Sequence, residues 1–168
     1  LKAGAEVLPF RSNLPEISKY TFTVIDDSFY DRAMESKSHY GGHIVVAGEN
    51  YAQGSSREHA ALAPKYLGQV AVIALSYARI AWQNLANFGI LPLEFINIKD
   101  YDKIEQADMV SFKSLREDIK NRNPIKVLVS NDSGKQLEFD TKHSLSDRQI
   151  NILWKGGLIN EFKDKLNH

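Results

Sequence analysis

An unbroken apolar run, Val70–Leu75, limits what this chain can fold into. A strand without alternating polar residues is typical of the centre of a parallel sheet, where helices cover both faces. The apolar run His43–Ala47 predicts a buried strand, and Ile90–Ile96 predicts a further strand. Helical patterns in Arg57–Leu67 and Tyr77–Phe88 separate the three strands. This alternation requires crossover connections, so it predicts an α/β fold with a parallel or mixed sheet and helices packed on it.

The second half of the chain changes to short strands with hairpin signals. Met109–Lys113, Ile125–Ser130 and Gln136–Asp140 have the composition of strands. Asn131–Gly134 is a turn sequence typical of hairpins. We therefore expect a small antiparallel β part attached to the α/β core. A Ser-x-x-Gln capping box with an apolar staple then opens a helix within Leu145–Ile150.

The two ends of the chain carry weaker signals. Two prolines disfavour a regular helix in Leu1–Ser18, so this segment is predicted to be extended or irregular. Thr21–Ile25 is β-branched and aromatic, which predicts a short strand. Asp26–Ser38 predicts a short helix, and Leu158–Leu166 predicts a final amphipathic helix.

The composition describes one globular domain and excludes several classes of function. The 168 residues, 43 % of them hydrophobic, suffice to bury one core. Basic and acidic side chains both number 21, so the zero net charge argues against broad nucleic-acid or membrane-surface binding. The absence of cysteine excludes disulfides and any iron–sulfur or thiolate zinc site within this chain, and it favours a reducing, cytoplasmic compartment. Because the chain starts with Leu1 instead of Met, we expect it to be a piece of a longer polypeptide or a processed one.

The segment most suited to chemistry is the polar turn, which we define as Gly48–Arg57, between the first strand and the following helix. Its final four residues, Gly54-Ser-Ser-Arg57, place backbone N–H groups, two hydroxyls and a guanidinium at a predicted helix N-terminus. Unpaired donors and a partial positive charge make such an end suitable for an anion. Arg57 adds a planar group that can bind a carboxylate or phosphate through two hydrogen bonds.

Two interpretations of this turn stay open at the level of the residues. Ser55 and Glu58 have the spacing of a capping box, which often does no more than satisfy helix-end donors. One serine suffices for a cap, so Ser56 stays free to face a ligand. His59 lies one turn from Ser55, but we expect it to be a buried, hydrogen-bonded histidine that does not activate the serine. The turn has neither a Gly-x-Ser-x-Gly elbow nor a P-loop lysine, which disfavours hydrolase and nucleotide-binding functions.

Longer motifs around the polar turn resemble the aconitase family. The turn runs on into Glu58-His-Ala-Ala61, and further matching motifs are Arg11–Ser18, Ala63–Gly68, Ser76–Ile80, Asn84–Leu93 and Leu145–Leu158. The resemblance spans the whole chain and is to the C-terminal swivel domain of bacterial aconitases. It implies a swivelling-domain-like β/β/α layered fold over residues 1–168, in which residues 1–20 are an extended lead-in from the preceding domain.

The resemblance also implies a reaction and roles for four residues. Aconitases are hydro-lyases that interconvert citrate and isocitrate through cis-aconitate. They use a [4Fe–4S] cluster held by cysteines in other domains of the same polypeptide, over which the swivel domain closes. Ser55 corresponds to the serine alkoxide base, and Ser56 and Arg57 correspond to substrate-carboxylate binders. Arg11, which alone would be interpreted as a solvated charge, corresponds to a further substrate-binding arginine.

Two departures and two alternatives accompany the resemblance. Ala52 stands where the family commonly has glycine, which narrows the backbone conformations open to the turn. Ala81 stands where many relatives carry histidine, which affects the substrate pocket or the domain contact.

A small subunit of a two-chain isopropylmalate isomerase or homoaconitase would share the Gly-Ser-Ser-Arg-Glu-His motif. A non-catalytic RNA-binding role is the third possibility, and the zero net charge disfavours it.

Overall fold

The computed structural model describes residues 7–54 and 58–160. Its strands in this part of the chain are β1 His43–Ala47, β2 Gln69–Ala74, β3 Leu91–Phe95, β4 Met109–Phe112, β5 Ile125–Ser130 and β6 Gln136–Lys142. Its helices there are α1 Leu14–Ser18, α2 Phe29–Tyr40, α3 His59–Tyr66, α4 Ala81–Asn87, α5 Leu115–Asn121 and α6 Asp147–Trp154. Two 3₁₀ helices cover Leu8–Phe10 and Ile98–Lys103. Among the described residues, no helix is long and apolar enough to cross a membrane.

The first three strands form the parallel half of one mixed sheet, whose strand order is β1-β2-β3-β6-β5-β4. Val72 in β2 lies between Val45 of β1 and Pro92 of β3. All residues of β2 except Val70 are buried, as the unbroken apolar run predicts. The prediction of a buried first strand is wrong in one respect: every residue of β1 is only half-buried, because β1 lies at the edge of the sheet.

The antiparallel half continues the same sheet. β4, β5 and β6 pair antiparallel, and the Asn131 side chain accepts hydrogen bonds from the backbone N–H groups of Ser133 and Lys135 in the predicted hairpin turn. β6 then pairs with β3 through Phe95–Thr141 and one neighbouring pair. The α/β fold with a mixed sheet is therefore confirmed, and the antiparallel part predicted to attach to the core is one half of a continuous sheet.

The N-terminal predictions need the largest corrections. Within Leu1–Ser18, the described residues form the first 3₁₀ helix and α1, because both prolines occupy first turns, where the missing N–H costs nothing. Asn13 caps α1 by accepting a hydrogen bond from the N–H of Glu16. Thr21–Ile25 forms turns instead of a strand, since Phe22 has a φ of +59° and its carbonyl accepts the N–H of Ile25.

Several helix boundaries also differ from those predicted. The helix predicted from Tyr77 begins only at Ala81, because the preceding residues pair with the polar turn. α2 begins three residues after the start of the range Asp26–Ser38 and ends two residues beyond it, and α5 has no counterpart among the predictions. α6 begins with the predicted capping box of Ser146 and Gln149. Most of the predicted last helix lies beyond residue 160, outside the described residues.

Two glycines bring the ends of α4 and α6 together. Gly89 terminates α4 as predicted, with a φ of +71°. A Cβ atom on Gly89 would lie 2.6 Å from the carbonyl carbon of Gly156. Because this contact is with backbone, it cannot be relieved by moving a flexible side chain.

We expect Gly89→Ala to lower the free energy of unfolding by about 2–4 kcal/mol. An alanine in the left-handed region costs about 1 kcal/mol, and overpacking against Gly156 adds about 1–3 kcal/mol. Gly134→Ala is the matched control, because Gly134 has a φ of +86° but no atom within 4 Å of its added Cβ. Equilibrium urea unfolding measures both variants. Equal losses would contradict a tight contact between the two helix ends.

Candidate active site

Three connecting segments meet at the carboxyl ends of the parallel strands, which we call the carboxyl edge of the sheet. The polar turn follows β1, residues 75–80 follow β2, and the 3₁₀ helix Ile98–Lys103 follows β3. The Tyr101 hydroxyl oxygen lies 3.8 Å from the position that a Cβ on Gly48 would take. Open α/β sheets bind ligands at this edge, so the polar turn stands where the fold favours a site.

The polar turn is hydrogen-bonded to the 75–80 loop. The Tyr51 N–H donates to the carbonyl of Ser76 at 3.0 Å, and the Ala78 N–H donates to the carbonyl of Tyr51 at 3.0 Å. The Asn50 N–H donates to the Ser76 hydroxyl at 2.9 Å. These three bonds form a short parallel bridge that fixes the middle of the polar turn.

Tyr77 anchors the 75–80 loop to the sheet. Its hydroxyl oxygen lies 2.8 Å from the carbonyl oxygens of Val72 and Leu93, and it accepts the N–H of Leu93 at 3.0 Å. Burial raises the pKa of Tyr77 well above its usual range, so the hydroxyl keeps its proton. The ring packs edge-on against Tyr51, at 5.9 Å between centroids, and against Trp82, at 5.0 Å.

The N-terminal segment packs against α3 and brings Arg11 to its first turn. The Ser18 hydroxyl in α1 lies 3.4 Å from the carbonyl oxygen of Ala63. His59 Nε2 lies 2.8 Å from the carbonyl oxygen of Arg11. A carbonyl only accepts, so Nε2 is the donor in this contact. The hydrogen bond predicted for His59 is confirmed, whereas the prediction that His59 is buried is wrong, because the residue is only half-buried at the first turn of α3.

The structure thus places one of the four predicted site residues. Arg11 is exposed beside α3 and has no ion-pair partner among residues 7–54 and 58–160. Ser55, Ser56 and Arg57 lie outside the described residues. Of the predicted capping box only Glu58 is described: it is the N-cap of α3, and its side chain makes no capping hydrogen bond. In the part of the chain that the structure describes, no three His, Asp or Glu side chains could jointly hold a metal ion.

Comparison with known proteins identifies the chain's relatives. The aconitase C-terminal domain family matches residues 10–98, which include Arg11 and the polar turn. The chain belongs to the aconitase C-terminal domain family. This aconitase C-terminal domain spans only 15–17 % of the length of the curated aconitate hydratases it matches.

The proteins to which this chain is similar include two curated enzymes and one enzyme of known structure, all of them hydratases or dehydratases. It is 42 % identical over 120 residues to the mitochondrial aconitate hydratase of Gracilaria gracilis, covering 71 % of this chain and 15 % of the relative. It is 37 % identical over 143 residues to the mitochondrial homocitrate dehydratase of Saccharomyces cerevisiae, covering 81 % and 18 %. A 3-isopropylmalate dehydratase structure from Methanocaldococcus jannaschii superimposes with a TM-score of 0.67 and 30 % identity, covering 91 % of this chain and 78 % of that one. The predicted family and fold are confirmed.

The predicted site lacked the residues that hold the polar turn. Tyr51, Ser76 and Tyr77 occur within the aconitase-like motifs, yet no role was predicted for them. One signal was available: Ser76 and Tyr77 are polar residues immediately after the most buried strand, at the edge where such sheets bind ligands.

Ala52 adopts a backbone conformation that suits glycine. Its φ is +64°, and two residues earlier Asn50 has a φ of +56°. Asparagine tolerates the left-handed region, whereas alanine is penalised by its Cβ. The alanine that departs from the family pattern is therefore a strained residue inside the polar turn.

We expect Ala52→Gly to raise the free energy of unfolding by about 0.5–1 kcal/mol. The gain is smaller than the strain removed, because glycine also loses more backbone entropy on folding. Asn50→Gly is the matched control and should bring no gain. Thermal or urea unfolding compares the two, and a loss of stability in Ala52→Gly would show that the turn is not strained at this residue.

Tyr51 also links the polar turn to a buried polar cluster at the start of β1 and β2. Its hydroxyl lies 3.5 Å from the side-chain nitrogen of Gln69, which is fully buried and pairs with His43 across the strands. Both ring nitrogens of His43 lack a hydrogen-bond partner in the described chain, and Phe29 packs edge-on against the ring at 5.5 Å. Burial, aided by the positive charge of Arg32, lowers the pKa of His43 to about 4.

We expect stability to fall as the pH drops from about 6.5 to about 4. In that window the unfolded chain protonates His43 at its ordinary pKa of about 6.5, whereas the folded chain keeps it neutral. The contribution is about 1–2 kcal/mol, since half-burial screens part of the shift. His43→Leu should flatten the pH dependence of the melting temperature in this window. The exposed-site control His39→Gln should retain it, and equal slopes for both variants would contradict the assignment.

Proposed function

We propose that this chain is the substrate-closing domain of an iron–sulfur hydro-lyase that interconverts citrate and isocitrate through cis-aconitate. Membership of the aconitase C-terminal domain family supports the reaction class. The observation that carries the proposal is the 2.8 Å contact between His59 Nε2 and the carbonyl oxygen of Arg11. It brings one predicted substrate-binding residue to the helix turn that directly follows Ser55–Arg57. Two distant motifs of the chain therefore converge on one edge of the sheet.

In this proposal, each of the four residues has one task. Ser55 removes a proton from the carbon next to a substrate carboxylate, and the electron pair forms the carbon–carbon double bond as the hydroxyl group leaves. Arg11, Ser56 and Arg57 bind carboxylates, because a tricarboxylate needs several cations and oriented donors. The group that takes up the leaving hydroxyl belongs to another part of the polypeptide.

Closure of the domain would activate the base. A serine hydroxyl has far too high a pKa to ionise at pH 7 in water, so Ser55 needs strong local positive charge. Exclusion of water strengthens every interaction with Arg57 and with the helix end. We therefore expect an ordinary, protonated Ser55 in the isolated chain.

The residues of this chain do not fit a [4Fe–4S] cluster. The sequence contains no cysteine, and its histidines and carboxylates form no metal-binding group in the described part of the chain. On our proposal, the cluster and its cysteines belong to N-terminal domains of the same polypeptide, onto which this domain closes. The cytoplasmic location and the lead-in role of residues 1–20 stay predictions.

We expect Ser55→Ala in the full-length enzyme to lower kcat by at least about 10³-fold while citrate still binds, because only the proton transfer is lost. Arg57→Lys should mainly raise KM, by about 10- to 100-fold, since lysine cannot make the two parallel hydrogen bonds. Ser133→Ala, in the hairpin turn, is the control and should leave both constants unchanged. Steady-state kinetics and citrate calorimetry provide the measurements. Full activity in Ser55→Ala would rule out the proposed mechanism.

A small subunit of a two-chain isopropylmalate isomerase or homoaconitase is the second candidate. The observation that favours it is the extent of the structural match, which covers 78 % of a 3-isopropylmalate dehydratase chain. The coding sequence upstream of residue 1 distinguishes the two. Three cluster cysteines in the same reading frame support the single-chain enzyme, whereas a stop codon there supports the separate subunit. Assays with citrate, homocitrate and isopropylmalate then identify the substrate.

A further inference from the structure

The 75–80 loop makes contacts that the proposed chemistry does not use. It binds the polar turn through the three hydrogen bonds to Asn50 and Tyr51, and it binds the sheet through the Tyr77 hydroxyl. A loop that only connected β2 to α4 would need neither set. The two sets together connect the sheet to the segment that carries Ser55.

We propose that Ser76 and Tyr77 are positioning residues, which hold residues 50–51 in place and thereby set the path of the polar turn that carries the serine base. This inference rests on the proposed function, because it assigns the two residues to the same site. Neither residue needs to touch the substrate.

Ser76 provides the direct contact with the turn. Its hydroxyl accepts the Asn50 N–H at 2.9 Å, and its carbonyl accepts the Tyr51 N–H at 3.0 Å. Asn50 and Ala52 both have positive φ values, and such conformations persist only where the surroundings fix them. The bonds from Ser76 supply that constraint between two left-handed residues.

Tyr77 provides the attachment to the rigid part of the fold. Its hydroxyl reaches Val72 in the central strand and Leu93 in the neighbouring strand, both of which are fully buried. The loop therefore cannot shift relative to the sheet without breaking the hydrogen bonds of the Tyr77 hydroxyl and leaving buried backbone groups of the sheet unsatisfied.

Such positioning acts on turnover more than on binding. A displacement of about 1 Å of a catalytic group can cost about 100-fold in rate, whereas carboxylates bound by flexible arginines tolerate it. The signature of a positioning role is therefore a fall in kcat with a nearly constant KM. A merely structural role predicts a lower melting temperature alone.

The test uses the full-length holoenzyme with four variants. Ser76→Ala removes the hydroxyl that accepts the Asn50 N–H, and Ser76→Thr restores a hydroxyl. Tyr77→Phe removes the anchor but keeps the ring. Thr141→Val is the matched control, because it deletes a fully buried hydroxyl that donates to the Ile125 carbonyl at 3.0 Å in the antiparallel half.

We expect Ser76→Ala and Tyr77→Phe to lower kcat for citrate by about 10- to 100-fold, with KM changed less than about threefold. Ser76→Thr should recover kcat to within about threefold of the wild type. Thr141→Val should lower the melting temperature and leave kcat unchanged. The proposal is overturned if the kcat of the Ser76 and Tyr77 variants matches that of Thr141→Val, or if KM rises while kcat stays constant.

Amide hydrogen exchange over residues 49–53 keeps this test separate from the proposed function. Faster exchange there in Ser76→Ala and Tyr77→Phe, but not in Thr141→Val, supports the positioning role. A wild-type enzyme that turns over no tricarboxylate would contradict the proposed function but would leave this exchange result valid. Unchanged exchange in both variants overturns the positioning role, whatever the activity.

Discussion

Two residue pairs between antiparallel strands, Glu94 with Lys142 and Phe95 with Thr141, hold the two halves of the sheet together. They are few because only the last two residues of β3 and the last two residues of β6 lie side by side, while β6 pairs with β5 along its other side. Side chains reinforce the junction: the rings of Phe95 and Phe139 stack at 5.3 Å, and both are buried in one core shared by the two halves. Without this junction, β3 would be an exposed edge and the core would be divided.

The two halves of the sheet joined at this junction contribute different parts of the structure. The antiparallel half and α6 contribute apolar area to the shared core, which a sheet of three short parallel strands would lack. The parallel half contributes the carboxyl edge, where the polar turn, the 75–80 loop and the helix containing Tyr101 meet. Catalytic loops benefit from such a rigid support, since they themselves pack few apolar residues.

The sequence predicted the elements whose cause is local. Val70–Leu75 and Ile125–Ser130 were recognisable because their apolar patterns directly reflect burial in a sheet. The capping box of α6 is likewise complete within four residues. The predictions for Thr21–Ile25 and for the start of α4 were wrong because the conformations of these segments depend on distant partners, which a local pattern does not contain.

The same distinction applies to the candidate site. Anion binding by the polar turn could be inferred from helix-end chemistry alone, whereas Arg11 could be assigned only by resemblance. Its neighbour His59 lies 48 positions further along the chain, and no periodicity encodes a contact of that kind. Ser76 and Tyr77 were overlooked for a similar reason, because their hydrogen bonds to the turn and the sheet arise only on folding.

The packing of the N-terminal segment on α3 has a consequence for how such genes are divided and joined. Residues from Leu8 onward belong physically to this domain, because α1 contacts α3 and the Arg11 carbonyl accepts a hydrogen bond from His59. A fusion or fission point placed at the more obvious turn after Ser18 would separate α1 and the Arg11 carbonyl from α3. A division that keeps this packing intact must therefore fall before Val7, which is itself buried.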